Sequence, residues 1–237
     1  MKIIHFESID STNTYLKNNY QNLENFTFVS ANNQSQGRGR NNRKWESNDL
    51  NLLFSLLIKE SNYFNFINSI SIVSAYSVLQ VLKEYGLNNL SIKWPNDIYC
   101  DGKKICGILL EAISKTNLDC LIIGVGLNVN QKEFVGDYIH EPTSMINQLN
   151  REVDIKELKN DIYQKIINNL NSLINNYDYY DEIKEYDYLK NKEVYALINN
   201  ENKLVKVKGI NKDYTLCVLT DEREINLNSG EISFHIK

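Results

Sequence analysis

Three strand-like segments, residues 90–94, 98–100 and 103–113, follow one another in quick succession, and the last two are joined through Asp101-Gly102, a two-residue hairpin signal. Neighbours this close leave no room for the crossover of about a dozen residues that parallel strands require. A mixed or antiparallel sheet is therefore expected, not a regular run of βαβ units. Residues 2–7, 26–31, 51–58 and 118–126 read as further strands. A short helix is opened near Asp10-Ser11-Thr12, and Ile70, Val73, Val78, Leu79 and Leu82 mark a largely buried helix over 68–86, closed by Gly86. Ile155, Leu158, Ile162, Ile166, Leu170, Leu173 and Ile174 recur at helical spacing, and a second helix is expected over 179–189.

Beyond residue 190 the pattern changes to short strands at 193–198, 203–210, 214–219, 224–227 and 231–236. The expected division is a main domain over 1–189 and an all-β appendage over 190–237, too small for much core unless it packs on its neighbour. With 237 residues, 42% of them hydrophobic, the chain can bury a sizeable core. Its net charge of −4 argues against a broad nucleic-acid surface. The N-terminus lacks a secretory signal and no apolar run reaches membrane-spanning length, so a cytoplasmic protein with no membrane partner is expected. Cys100, Cys106, Cys120 and Cys217 show no metal-binding spacing and read as buried reduced thiols, while His5, His140 and His235 read as structural or surface residues.

Against that acidic background, Ala31–Trp45 gathers Gly37, Gly39, Arg38, Arg40, Arg43, Lys44 and Trp45 in a stretch with neither helical nor strand periodicity. Glycines can expose consecutive N–H groups, and the cations around them suit a carboxylate or phosphate. Trp45 adds a planar face for a base, although a solvated charged turn would have the same composition. There is no third glycine for a dinucleotide fingerprint and no Walker lysine. A second cluster, Lys93-Trp-Pro-Asn-Asp97, is followed by Lys103-Lys104 across the hairpin. Asn96 and Asp97 supply oxygens able to hold Mg²⁺ alongside phosphates, or they cap their own turn. Gly107 and Gly124-Val-Gly126 interrupt apolar strands where a ligand or another backbone comes close, with Asn128 just beyond. Ser11, Thr12 and Asn13 start a helix and could also face a ligand.

In order along the chain stand Ser11-Thr-Asn13; Gln34 with Gly37-Arg-Gly-Arg40 and Arg43-Lys-Trp45; Lys93-Trp-Pro-Asn-Asp97; Lys104-Ile-Cys-Gly107 with Ile108-Leu-Leu-Glu111; Gly124-Val-Gly-Leu-Asn128; Thr143-Ser144; and Ser229-Gly-Glu-Ile-Ser233. This ordered set resembles the biotin protein ligase family, the biotin-[acetyl-CoA-carboxylase] ligases, over almost the full chain. The resemblance implies an α+β catalytic domain like that of class II aminoacyl-tRNA synthetases, a mixed sheet packed with helices, followed by a small SH3-like β-barrel. It implies ATP, Mg²⁺ and biotin as ligands, a biotinyl-5'-adenylate intermediate, and transfer to a lysine of a biotin carboxyl carrier domain.

Carried onto these positions, the family pattern makes Ser11, Thr12 and Gln34 similar to residues that bind the ureido ring, with Asn13 beside them. Gly37, Arg38, Gly39 and Arg40 would close over the adenylate, with Arg38 and Arg40 gripping carboxylate and phosphate oxygens; Arg43 would meet pyrophosphate, and Trp45 would lie against adenine. Lys104 would bridge the biotinyl carboxylate and α-phosphate, and Lys93 would stand in the nucleotide site. Asn96 and Asp97 would serve Mg-ATP, with Asp97 also orienting the incoming amine; Gly107 would line the biotin slot and Asn128 would read adenine. Catalysis would fall to Lys104, Arg40 and Asp97.

The loop over 32–45 is expected to order on ligand binding. The chain starts on the catalytic domain's first strand, so a DNA-binding module is not expected, and a homodimer stays open. Lipoate or octanoate transfer on the same fold, and nucleic-acid binding through the basic loop, are the competing functions. Two departures stand out: Asn42 where many members carry glycine, and Gly209-Ile-Asn-Lys-Asp-Tyr214 in place of a more glycine-rich turn.

Overall fold

The computed structural model describes residues 2–198, 201–220, 223–228 and 234–236. The Ser229–Ser233 motif lies outside the described residues, as does the first half of the strand expected over 231–236. Seven strands form one mixed sheet: β1 (Ile3–Ile9), β2 (Phe28–Gln34), β3 (Leu52–Ile58), β4 (Leu90–Lys93), β5 (Asp97–Cys100), β6 (Lys103–Ser114) and β7 (Leu118–Leu127). Their spatial order is β1-β2-β3-β7-β6-β5-β4, in which β1 and β2 run parallel and every other pair is antiparallel. Asp101-Gly102 turns the β5–β6 hairpin with positive φ at both residues, as the sequence signal requires.

β3 is buried along its whole length because both faces of the sheet are covered there. Leu52, Phe54, Leu56 and Ile58 alternate toward a core shared with the helices α2 (Ile67–Glu84) and, after the short α3 (Met145–Leu149), α4 (Ile155–Ile174). Leu57 points the other way, into a smaller cluster with Leu16, Tyr20 and Leu23 in and just beyond α1 (Thr12–Asn19). Each of these fully buried side chains contributes about 2 kcal/mol of hydrophobic stabilisation.

α4 starts where Asp154 accepts from the backbone N–H groups of Lys156 and Glu157. Its apolar stripe packs on α2, and buried Asn169 bridges the two helices by donating to Ser77 and Gln80. One stretch, Ser61–Glu84, is after all long and apolar enough to cross a membrane by length and composition. Two-sided packing between the sheet and α4 accounts for that composition, and 67% of the window is buried inside the protein.

The expected helix over 179–189 is only partly present. α5 covers Tyr180–Ile183, a 3-10 turn covers Lys184–Tyr186, and the chain then extends. β4 is the last strand of its sheet and offers unpaired backbone groups, which the extended segment takes: Tyr188 N–H donates to Ile92 O, and Asp187 bridges Ile92 in parallel fashion.

The last sheet has the order β11-β10-β9-β8-β12, built from β8 (Glu193–Ile198), β9 (Glu201–Ile210), β10 (Leu216–Leu219), β11 (Glu224–Leu227) and β12 (Phe234–Ile236). Val194, Ala196, Val205, Val207, Leu216 and Val218 fill its inner face and belong to the same continuous core as the large sheet. Trp94 Nε1 donates to Tyr214 O, and Asp187 accepts from Leu189 and Ile210 N–H, so both parts are tied at their junction. Tyr214 itself takes a positive φ, the turn that stands where a more glycine-rich one is common.

Candidate functional site

A cavity of about 430 Å³ opens over the β3–β7–β6–β5 part of the sheet. Its floor is made by glycines. Gly107 and Gly126 face each other across the β6–β7 pair. A Cβ on Gly126 would lie 2.5 Å from the Trp45 ring, and one on Gly124 would lie 2.4 Å from Asn13 Oδ1. Side chains at these positions would fill the slot, which is why the apolar strands are interrupted there.

At one end of the slot the polar groups form a relay. β2 runs on to Gln34, three residues beyond its expected end at Ala31, and pairs Gln34 with Ile9. Gln34 Oε1 then accepts from the Thr12 N–H at 2.7 Å and from its hydroxyl at 3.0 Å. The Thr12 and Ser55 hydroxyl oxygens lie 2.6 Å apart, so their two protons are shared among this contact, Gln34 and Asn13 Oδ1, while Asn13 Nδ2 donates to Glu111 Oε2. Glu111 also meets Arg38 at 3.1 Å, and Arg38 Nη1 donates to Thr14 Oγ1 at 2.7 Å. Arg38 thus lines the cavity but commits its guanidinium to the root of α1, where the family pattern placed it on ligand oxygens. Ser11 caps α1, its Oγ accepting from Thr14 N–H.

Glu111 therefore holds two donors from different elements. Glu111→Ala leaves both without their acceptor. Because the Arg38–Glu111 pair is still about a quarter exposed, its side chains being 24% and 23% accessible, the expected loss is only about 1–2 kcal/mol in chemical denaturation. An unchanged denaturation midpoint would show that the relay carries no stability.

The opposite end is cationic. Lys104 Nζ lies 2.8 Å from Asp97 Oδ2 and 5.4 Å from the centre of the Trp45 ring. Arg40 reaches Asn96 Oδ1 at 3.3 Å, and Asn96 Nδ2 donates to Ile108 O. Burial lowers the Arg40 pKa, partly countered by Asp97. Lys93 is only 5% exposed, and burial pushes its pKa down to about 8 against the pull of Asp97. Asn128 is buried beside the cavity, its Nδ2 donating to Thr143 O.

Asn96 was expected to share Mg²⁺ with Asp97, but its side-chain oxygen faces Arg40 and its amide is tied to β6. That leaves Asp97 as the carboxylate suited to the ion. No group of three His, Cys, Asp or Glu side chains able to hold a metal occurs among the described residues. One carboxylate beside a cluster of cations fits Mg²⁺, which keeps its waters and arrives on phosphates.

The basic loop closes on itself. Gly39 N–H donates to Arg43 O, Trp45 N–H donates to Gly37 O, and Arg38 bridges Lys44. Its left-handed residue is Asn41, with φ of 55°, so the turn conformation falls one position before the Asn42 substitution. Trp45 lies on the glycine floor, and its indole N–H is buried with no hydrogen-bond partner among the described residues.

Ser11, Thr12, Asn13, Gln34, Arg38, Gly39, Arg40, Arg43, Trp45, Lys93, Asn96, Asp97, Lys104, Gly107 and Asn128 all line this one cavity. Gly37 stands behind the lining, where a Cβ would press on Trp45 O at 2.9 Å. Three contributors had no assigned role. Ser55 could have been found as the polar residue inside an apolar strand. Glu111 could have been found as a charge ending an apolar run. His140, on the 131–142 loop at the cavity mouth, carried no signal and is nevertheless 2.6 Å from Lys93. From the same loop Tyr138 donates to Glu46, linking the two loops that flank the opening.

A glycine-floored slot with a polar relay at one end and a cationic cluster at the other, on a mixed sheet followed by a small antiparallel one, is suited to a ligand with a polar ring and an anionic end. The chain belongs to the biotin/lipoate A/B protein ligase family, whose sequence model matches residues 5–128. Its relatives are biotin ligases. The bifunctional ligase/repressor BirA of Escherichia coli is 26% identical over 95% of this chain and 71% of its own length. That of Bacillus subtilis is 33% identical, over 62% of this chain and 46% of its own length. Among solved structures, the biotin protein ligase of Aquifex aeolicus in complex with biotin and ATP superposes with a TM-score of 0.88 and 30% identity, covering 100% of this chain and 99% of that one.

Proposed function

We propose that the protein is an ATP-dependent biotin protein ligase. The biotin carboxylate attacks the α-phosphorus of ATP, giving biotinyl-5'-adenylate and pyrophosphate. The ε-amine of one lysine on a biotin carboxyl carrier domain then attacks the mixed anhydride and releases AMP. One observation carries the reading: the relay through Thr12 and Gln34 and the cations around Lys104 sit at opposite ends of a single glycine-floored slot, as a ureido ring and a reacting carboxylate would need.

Thr12, Gln34 and Ser11 hold the ring, Asn13 supports them from behind, and Gly107 leaves room for the ring system. Lys104 bridges the carboxylate and α-phosphate oxygens. To do so it leaves Asp97, which holds its ammonium at 2.8 Å. Arg40 assists at the same oxygens, Arg43 and Lys93 meet the departing pyrophosphate, and Asn128 reads adenine. Arg38 acts on the ligand indirectly, by fixing the loop root. Asp97 would hold Mg²⁺, which when bound would supply charge neutralisation on the phosphates. Once the nucleotide has gone on to adenylate, Asp97 orients the carrier amine. An acidic surface around the carrier lysine would suit the loop's positive field.

Mass spectrometry after incubation with Mg-ATP and either biotin, lipoate or octanoate tests the reading. A biotinyl-adenylate product, followed by a mass increase on an added carrier domain, is expected with biotin alone. Adenylate formed from lipoate or octanoate in its place would transfer the protein to the other branch of the family.

The buried, unpartnered indole N–H of Trp45 and the loop's glycines suit a segment that settles only over ligand. Biotin with Mg-ATP is expected to slow limited proteolysis between Gln34 and Trp45 by about tenfold, an opening cost of about 1.4 kcal/mol. Equal cleavage with and without ligands would show a loop already set.

A further inference from the structure

Lys93 and His140 come from positions 47 residues apart and meet over the cavity, Nζ to Nε2, at 2.6 Å. Neither residue arrives there by accident of a free side chain. Lys93 ends β4 opposite Asp97, and its side chain is buried. The segment bearing His140 is pinned to the strand of Lys104: Lys104 N–H donates to Glu141 O at 2.8 Å, and Thr143 N–H donates to Lys104 O at 2.9 Å. The edge of the Tyr99 ring packs on the imidazole, with centroids 6.0 Å apart, and the Lys93 ammonium lies 5.7 Å from the Tyr99 centroid.

The imidazole is the hydrogen-bond partner of a nearly buried ammonium, and it is uncharged. Burial and the neighbouring lysine push its pKa down to about 4, so near neutral pH it stays neutral and accepts a hydrogen bond from the Lys93 ammonium. A carboxylate in this position would fix the ammonium equally well but would cancel its charge. A neutral acceptor takes one of three N–H donors and leaves the charge, and two donors, for an incoming anion.

We propose that His140 is a positioning residue for nucleotide activation: it holds the Lys93 ammonium at the cationic end of the cavity so that the remaining N–H donors of Lys93 meet the oxygens of the departing pyrophosphate. The inference rests on the ligase reading above and adds to it a residue on the second loop, outside the motifs that carry the resemblance. It assigns the 131–142 loop a part in the first chemical step through a side chain that never touches the reacting carboxylate.

The test follows pyrophosphate release with biotin and Mg-ATP. His140→Ala is expected to lower kcat/KM for ATP by about tenfold, while biotin affinity measured without nucleotide and the melting temperature stay near those of the parent. His140→Gln, whose amide oxygen can accept the same bond, is expected to recover most of the loss. In a Lys93→Met background, His140→Ala is expected to add nothing, because its partner is gone. Losses that multiply in the double variant would overturn the proposal, as would a parallel fall in biotin affinity and melting temperature or an ATP efficiency within twofold of the parent. A parent protein that releases no pyrophosphate would overturn the ligase reading itself, and this inference with it.

Discussion

Lys104→Ala is expected to slow biotinyl-adenylate formation by a factor of about 100 to 1,000, the usual effect of removing one preorganised donor from a developing charge. The ammonium is held by Asp97 and lies over the Trp45 ring, close enough to the cavity floor to exchange one oxyanion for another. The carboxylate and α-phosphate oxygens share more negative charge in the transition state than either does beforehand. An interaction that strengthens at that moment acts on kcat more than on ground-state binding. Biotin affinity should therefore change by less than about tenfold in the same variant, a difference of under about 1.4 kcal/mol. Single-turnover pyrophosphate release separates the two quantities. Lys104→Arg is expected to restore only part of the rate, because a planar fork does not reproduce a compact point charge. Adenylation within tenfold of the parent in Lys104→Ala would remove the residue from its assigned role.

Gly124→Ala is the second large effect. The new methyl carbon would stand 2.4 Å from Asn13 Oδ1, 3.1 Å from its Cγ and 3.2 Å from Nδ2, so the whole amide must move. Moving it breaks the bonds to Ser55 and Glu111 and disturbs Thr12, which shares Ser55 with Asn13. Biotin affinity should fall by about a hundredfold, equivalent to about 2.7 kcal/mol. Stability should fall by about 1–3 kcal/mol from overpacking. Calorimetric titration with biotin and a denaturation curve give the two values independently. Undiminished biotin binding in a folded Gly124→Ala protein would mean that the relay is not the ring's recognition surface.

Both effects turn on contacts that composition could not reveal, although much around them was legible. The Leu52–Ile58 run, the Asp101-Gly102 turn and the helical spacing from Ile155 to Ile174 each carry their own local cause, and each element formed as expected. The segment after Ile183 did not. Its helical pattern lost to the open edge of β4, whose backbone groups lie some 90 residues away in sequence and cannot be read from local spacing. Arg38 likewise sits among cationic and glycine-rich neighbours, and these do not name the acidic side chain it pairs with. Its actual partner, Glu111, is brought to it by the β6–β7 pairing.

What the chain determined alone was the set of chemical groups: cations and glycines in the Gly37–Trp45 loop, Asp97 after a short strand, and amides and hydroxyls at Ser11–Asn13 and Gln34. These follow from residue identity and near-neighbour spacing, and kinship with biotin ligases followed from their order. Only the tertiary structure decided which of them meet. Sheet pairing set Gly107 against Gly126 and placed Glu111 between Asn13 and Arg38, and a loop tied to Lys104 carried His140 to Lys93. Pairing and burial act across the whole chain, and a partner chosen at that range leaves no mark on the residues beside it.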